Sequence, residues 1–324
     1  MLLIQRQQKD YFQNSLRKWG FYLLAVSGAT RVCGLFGYPV EHSFSPIMHN
    51  AAFSFLGLDF IYVPYCVAPE ELESAARAVR ALGMVGVNIT IPHKEKVCYY
   101  LDEVTPGAKI AGAVNTVVNK KGKLYGYNTD GAGFLRALRE ETAFLPDGKA
   151  ALIVGAGGAA RSIAVELAMS GVRLVTIVNR NHERAQALAN LLTEQTPVKK
   201  ADTARLTGAE FKEAVKRAEL IIQATPLGMY PNEDACLDFP YEYLQPGQVI
   251  CDLVYNPPAT QFMKNASLTE GVKVTGGVGM LLYQGALAFE HWTGLQAPVE
   301  IMRKSLQEFL DAQVTELNND HYIL

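Results

Sequence analysis

The run Ala151-Leu152-Ile153-Val154-Gly155-Ala156-Gly157-Gly158-Ala159-Ala160 limits what this chain can fold into more than any other segment. Four consecutive apolar residues read as a strand buried on both faces, and the glycines that follow read as a tight turn. Residues 161–169 continue with small and apolar side chains at helical period. Strand, turn and helix in that order open a parallel α/β unit. The pattern fits G-x-G-x-x-A: the first small residue makes the turn, the second admits a pyrophosphate close to the backbone, and the third packs helix on strand. The helix start adds free N–H groups and a positive dipole end. Glycine-rich turns also arise for steric reasons alone, and the flanking strand and helix are what favour the phosphate-binding reading.

The rest of the chain repeats this alternation. Strands are expected at 32–36, 61–64, 86–89, 113–118, 151–154, 174–178, 220–224 and 249–253, with helices at 46–56, 69–82, 94–101, 133–141, 159–169 and 183–192. Two amphipathic helices, 279–293 and 299–314, close the sequence without a strand between them, and 318–324 is polar enough to fray. A chain of 324 residues exceeds what one core usually organises. The expected division is an extension at 1–30, a first α/β domain at 31–130 completed by 279–324, and a Rossmann-type domain at 131–278. Thirty basic against 32 acidic side chains give a formal charge of -2, which excludes the basic excess of a nucleic-acid binder. The five cysteines are odd in number and form no C-x-x-C pair, so neither a disulfide framework nor a metal site is expected and a reducing cytoplasm fits. Basic residues before the apolar run 21–26 resemble a signal peptide, but the run is short and late, and it is read as an extension. No stretch approaches the roughly 20 apolar residues of a membrane span.

Cofactor choice is written at the end of the next strand. An NAD site places an acid there for the ribose 2′-hydroxyl. This chain has Val178-Asn179-Arg180-Asn181-His182-Glu183-Arg184 instead. The missing acid, with Arg180 and Arg184 four apart, points to a 2′-phosphate and hence NADP. An ordinary solvated basic pair is the alternative.

In the first domain, Gly86-Val87-Asn88-Ile89-Thr90-Ile91 reads as a strand ending at Pro92-His93-Lys94. With proline opening a helix, the ammonium of Lys94 would lie beside a positive helix end that disfavours its charged form, making it a proton-transfer candidate. Asp130, in Gly126-Tyr127-Asn128-Thr129-Asp130-Gly131 between the two domains, is its expected counterpart, or else a helix cap. Ser43 and Ser45, Asn115 with Thr116, and Gln284 suggest a site that reads hydroxyls rather than a charged clamp. Ser45 alone could be an N-cap before Pro46, and Gln284 interrupts an apolar stripe with Met280 and Leu287.

Taken in order, these pieces resemble the shikimate dehydrogenase family, which includes the quinate/shikimate dehydrogenases. The resemblance spans about residues 31–314. It is carried by Gly37-Tyr-Pro-Val-Glu-His-Ser-Phe-Ser-Pro46, Asn88-Ile-Thr-Ile-Pro-His-Lys94, Gly112-Ala-Val-Asn-Thr116, Asn128-Thr-Asp-Gly131, the glycine turn, Asn179-Arg180, Ala224-Thr-Pro-Leu-Gly-Met229, Tyr255-Asn-Pro257 and Gly277-Val-Gly-Met-Leu-Leu-Tyr-Gln284. It implies NADP-dependent, reversible reduction of 3-dehydroshikimate to shikimate. It also implies that Ser43 and Ser45 hold the carboxylate, that Thr90, Lys94, Asn115, Asp130 and Gln284 hold ring hydroxyls with Tyr255 nearby, and that Lys94 exchanges the proton with Asp130 as partner. By the same resemblance the cofactor meets Gly155, Ala156, Gly157, Gly158, Ala159, Asn179, Arg180, Arg184, Thr225, Leu253 and Gly277. Two residues depart from the pattern: Gln223 stands where the family usually has Asn, and Asn181 where Thr often follows Asn-Arg.

The small-molecule partner is thus shikimate or its ketone, with no nucleic acid and no membrane, as monomer or homodimer. Quinate oxidation is the nearest alternative. A folate dehydrogenase lacks the Ser-x-Ser and Asn-Thr-Asp motifs, and a ligand sensor would not need both Lys94 and Asp130. Replacing Arg180 and Arg184 together by Ala is expected to weaken NADP far more than NAD; titration of both cofactors measures this, and equal losses would remove the phosphate-reading role.

Overall fold

The computed structural model describes residues 26–320, and the expected extension therefore lies largely outside the described residues. Two six-stranded sheets organise the chain. The first contains β1 (Arg31–Gly37), β2 (Phe60–Cys66), β3 (Gly86–Ile89), β4 (Glu103–Val104), β5 (Thr116–Lys120) and β6 (Lys123–Tyr127), in the order β2-β1-β3-β5-β6-β4. The second contains β7 (Ala150–Val154), β8 (Leu174–Val178), β9 (Ala201–Ala204), β10 (Leu220–Gln223), β11 (Val249–Asp252) and β12 (Lys273–Thr275), in the order β12-β11-β10-β7-β8-β9. All its pairings are parallel. The order reverses between β7 and β10, the switch point beside which open α/β sheets take their ligands.

The first sheet is mixed rather than parallel throughout. β5 pairs antiparallel with both β3 and β6. A two-residue turn, Lys121-Gly122, joins β5 to β6 with both residues at positive φ, as a right-twisted hairpin requires. The expected strand at 113–118 begins instead at Thr116, because Ala113 to Asn115 turn in to bond Ala108, Lys94 and Tyr127. β4, β6, β9, β12 and the helices α3 (Pro106–Ala111), α7 (Ala209–Arg217) and α8 (Gln261–Ala266) were not expected; each is short, and all four strands lie at or next to a sheet edge. The expected helix at 94–101 is one 3-10 segment, Lys96–Tyr100.

α1 (Ser45–Phe55) and α2 (Leu72–Ala81) cover the first sheet on separate cores. α5 (Gly158–Met169), α6 (His182–Gln195), α7 and α8 (Gln261–Ala266) cover the second. The chain passes between the sheets through α4 (Asp130–Thr142) and returns through α9 (Gly277–Thr293) and α10 (Val299–Asp320), the last six residues longer than its expected end. α4 and α9 pack on one another. Gly133 permits this, since a Cβ there would stand 2.5 Å from the Gln284 amide nitrogen. α9 then reaches back to the first sheet, where the Trp292 indole donates to the Val117 carbonyl at 3.0 Å. No helix among the described residues is long and apolar enough to cross a membrane.

Two expectations follow from this packing. Gly133→Ala should destabilise the fold by about 1–3 kcal/mol through overpacking, read as a shifted denaturant midpoint. His49, wholly buried against Tyr62 and Trp292, has both ring nitrogens unpartnered. Burial pushes its pKa down from 6.5 to about 3. Below pH 6.5 the unfolded chain gains a proton that the folded chain refuses, so His49 costs stability as pH falls from 6.5 toward 3. Asp252, raised by burial to about 6, works in the opposite direction between pH 6 and 4. His49→Phe is therefore expected to flatten the acid-side loss of stability between pH 6.5 and 4; an unchanged pH slope in denaturation would count against this.

Candidate active site

The site forms where the carboxyl end of the first sheet faces that of the second. Asp130 is the first residue of α4, where its carboxylate meets the positive helix end. It is the first helical residue rather than the cap, since Thr129 occupies the cap position. Its Oδ2 lies 2.6 Å from the Lys94 ammonium, and its Oδ1 accepts from the Asn115 amide at 2.8 Å. The side chains of Lys94 and Asp130 are 18% and 5% exposed. A pair this enclosed persists only with its remaining hydrogen-bonding capacity met, and Asn115 meets part of it.

Lys94 is not at a helix start. Residues 90–93 form a turn in which the His93 N–H bonds the Thr90 carbonyl at 2.9 Å. The helix-dipole effect expected on its ammonium is therefore absent, and Asp130 governs its electrostatics. The backbone carbonyl of Lys94 accepts from Val114 at 2.8 Å, which keeps it next to Asn115. Its aliphatic stem passes the glycine turn: a Cβ on Gly158 would lie 3.9 Å from Lys94 Cδ. The ammonium thus stands at the seam between the two sheets.

Asn115 is the hub of the polar floor. Its amide also donates to Thr129 Oγ1 at 2.9 Å and to Gln284 Oε1 at 3.3 Å, and its oxygen accepts from the Thr129 N–H at 2.7 Å. Gln284 anchors its own amide on the Leu281 carbonyl at 2.8 Å. Beneath them Asn88 donates to the Asn115 carbonyl and to Thr116 Oγ1, both at 3.1 Å, and accepts from the Tyr62 phenol at 2.8 Å. Tyr62, whose phenol burial pushes up, also stands beside the Ser45 hydroxyl. Asn88, Tyr62 and Thr129 were not singled out from the sequence; polar residues inside otherwise apolar strands were the available signal.

Ser45 is the first residue of α1, not its cap, since Phe44 occupies the cap position. The Ser45 N–H donates to Ser43 Oγ at 3.3 Å, which holds the two serines together. Phe44 meets the Tyr255 ring edge-on at 5.4 Å, so the serine loop touches the second sheet's loops. Burial raises the Tyr255 phenol, leaving it a neutral donor. His42 and Tyr230 make a second ring contact across the same mouth at 5.3 Å. Thr90 is half-buried at the end of β3 and is held to Phe36 by its backbone N–H at 2.9 Å.

The cofactor candidates line the carboxyl ends of the second sheet. The N–H of Gly155 bonds Val178, that of Ala224 bonds Val154, and that of Leu253 bonds Gln223, at 2.8, 2.8 and 2.9 Å. Asn179, Gly155, Thr225 and Leu253 therefore follow strands that end level with one another. Gly155 sits at φ +127° with the Ala224 carbonyl 2.8 Å from where a Cβ would be, so only glycine turns here. Gly157 has open space above it, and the α5 N–H groups beyond it lack intrahelical acceptors. Ala156 and Ala159 complete that turn, half-buried. Gly277 presses on the Leu253 carbonyl and bonds Val254 at 3.1 Å. This cradle fits a dinucleotide. Arg180 and Arg184 are exposed with no ion-pair partner among the described residues. Asn181 caps α6 by accepting from the Arg184 N–H at 3.1 Å, so it orients the arginine-bearing turn.

Similarity to known proteins follows the same division. A family profile described as the shikimate dehydrogenase substrate binding domain matches residues 35–117. One described as shikimate / quinate 5-dehydrogenase matches residues 140–229, and one described as the shikimate 5′-dehydrogenase C-terminal domain matches residues 277–307. The chain is 52% identical over 283 residues to a protein named shikimate dehydrogenase (NADP(+)) from Desulforamulus reducens, covering 87% of this chain and 97% of that one. It is 50% identical over 287 residues to one of the same name from Methanopyrus kandleri, covering 89% and 98%. A solved structure of a shikimate dehydrogenase in complex with NADP+ superimposes with a TM-score of 0.82 at 42% identity, covering 88% of this chain and 97% of that one.

Proposed function

The chain belongs to the shikimate dehydrogenase family, and from that premise we propose how its own residues carry out the reversible, NADP-dependent interconversion of 3-dehydroshikimate and shikimate. The observation that carries the reading is the Lys94–Asp130 pair at 2.6 Å, with the Lys94 stem against Gly158 of the cofactor turn. Proton-transfer group and cofactor cradle are thereby brought to one place, which hydride chemistry at a carbinol carbon requires.

Bound NADPH supplies the hydride, and NADP+ takes it back. Lys94 Nζ donates a proton to the ketone oxygen in the reducing direction and removes it from the hydroxyl in the other. Asp130 holds the ammonium in place and accepts from a neighbouring ring hydroxyl. The 18% exposure of Lys94 lets water return the proton after turnover. Asn115, Gln284 and Thr90 read the remaining hydroxyls, with Asn115 and Gln284 already fixed by their mutual bond. Ser43, Ser45 and the neutral Tyr255 phenol receive the carboxylate, as three donors suited to an anion. Gly155, Ala156, Gly157, Gly158 and Ala159 hold the pyrophosphate, Thr225, Leu253 and Gly277 line the nicotinamide half, and Asn179, Arg180 and Arg184 take the adenosine end with its 2′-phosphate.

In this reading residues 31–130 with 279–324 form the substrate domain and 131–278 the NADP domain. The five cysteines are all free, which supports a reducing compartment such as the cytoplasm. The same polar floor would accept quinate, which carries one more ring hydroxyl, so shikimate preference is the finer claim; a monomer or homodimer serves equally, since every proposed site residue comes from one chain.

Lys94→Ala is expected to lower kcat by about 10²–10⁴-fold with a modest rise in shikimate KM. Initial-rate NADP reduction with shikimate and, separately, quinate measures this. Near-parent turnover would remove Lys94 from the chemistry, and quinate turnover equal to that of shikimate would assign the chain to the bifunctional branch.

A further inference from the structure

The second sheet holds a buried polar cluster that the reaction as described does not use. Gln223 ends β10 and Asp252 ends β11, and the two are register partners in adjacent strands. Both side chains are wholly buried. Polar groups so enclosed are expensive unless bonded, and here each one is. Gln223 Oε1 accepts from both the N–H and the hydroxyl of Thr225, at 2.5 and 2.7 Å. Its amide donates to the Leu227 carbonyl at 3.1 Å and to Asp252 Oδ1 at 3.3 Å. Asp252 Oδ1 also accepts from the Val254 N–H at 3.0 Å, and Oδ2 accepts from the Thr260 hydroxyl at 2.6 Å.

These bonds run to the two loops that border the crevice on one side of the switch point. The first, residues 224–230, carries Thr225 and ends at Tyr230, which touches His42 of the first domain. The second, residues 253–260, carries Leu253 and Tyr255. One amide and one carboxylate therefore tie Thr225 and Leu227 of the first loop, and Val254 and Thr260 of the second, to two strand ends. The glutamine length matters: a single side chain spans from the Thr225 turn to the next strand.

We propose that Gln223 and Asp252 act as a positioning pair, which locks both loops and presents Thr225 to the cofactor as a hydrogen-bond acceptor only. Both donors of Thr225 are consumed by Gln223, and its hydroxyl oxygen already accepts from the Leu227 N–H at 3.4 Å, so the second lone pair of that oxygen and the carbonyl are what it has left to offer. The complementary ligand group is one bearing N–H donors, such as the carboxamide of a nicotinamide ring. This assignment rests on the cofactor placement above. It concerns the crevice side opposite Arg180 and Arg184, which follow β8, so its effect is the same for NAD and NADP.

Calorimetric titration of NADP+ and NAD+ into the purified enzyme tests it, beside shikimate KM and the unfolding midpoint without ligand. Gln223→Met keeps the volume and removes every bond. It is expected to raise both cofactor Kd values about ten-fold while shikimate KM changes less than about two-fold. Asp252→Ala should weaken both cofactors likewise, with some rise in shikimate KM because its loop carries Tyr255, and Asp252→Asn, whose oxygen keeps the Gln223 and Val254 bonds while its amide donates to the Thr260 hydroxyl, should restore most of the affinity. Should Gln223→Met fail to fold, Thr225→Val removes the half-buried hydroxyl alone and is expected to weaken both cofactors several-fold at an unchanged unfolding midpoint. Parent-like cofactor Kd in either Gln223→Met or Thr225→Val overturns the proposal. So does a loss of cofactor and substrate affinity in step with a lowered unfolding midpoint, which would mark a purely structural cluster. Failure of the cofactor placement itself reads differently, as an unchanged NADP-to-NAD ratio in the Arg180→Ala, Arg184→Ala chain.

Discussion

An ammonium and a carboxylate 2.6 Å apart, largely out of water between two sheets, set the terms for the rest of this structure. Such a pair repays its desolvation only when its geometry is good and its remaining valences are met. Asp130 satisfies this in three ways: it begins a helix, it accepts from Asn115, and it faces Lys94. Each partner comes from a different element of the first domain, while the stem of Lys94 borders the turn of the second. The pair therefore stands within the first domain at the border with the second, where the proposed proton transfer needs it.

Small residues make that border possible. Gly133 lets α9 approach α4 until Gln284, 169 residues from Asn115 in sequence, bonds it at 3.3 Å. Gly131 closes on Ser162 and Glu166 of α5 in the same way, and Asn128 reaches the Ser162 hydroxyl at 2.7 Å. Ser162 lies one turn beyond the glycine loop, so the helix that this loop opens is bonded directly to the segment that carries Asp130. Packing without side chains at these crossings thus turns two separate cores into one chemical site.

Much of this was legible in the chain itself. The parallel second sheet announced itself through continuous apolar runs and its glycine turn, and its four longer strands, β7, β8, β10 and β11, fell where expected. The first sheet was less legible because the β5–β6 hairpin alternates weakly and its turn uses Lys121 at positive φ, a position usually given to Asn or Gly. The residues touching substrate or cofactor in the family resemblance came through their motifs. Tyr62 and Asp252 did not, and Asn88 and Gln223 stood in or beside motifs without a bonding role, because a buried polar group is recognised by its partners, and most of those partners lie in other strands or loops.

Sequence alone determined the two-domain α/β plan and the glycine turn, and singled out Lys94 and Asp130, because each is encoded by residues close together: a strand beside its turn, a lysine after its proline, an aspartate at its helix start. Only the tertiary structure decided what surrounds that pair. It replaced an expected helix dipole at Lys94 with a carboxylate, made Asn115 rather than a lone side chain the centre of the floor, and joined Gln223 to Asp252 across two strands. The physical reason is that electrostatic environment depends on distance in space, and the groups that set it here are brought together by helix crossings and strand registers that no local pattern records.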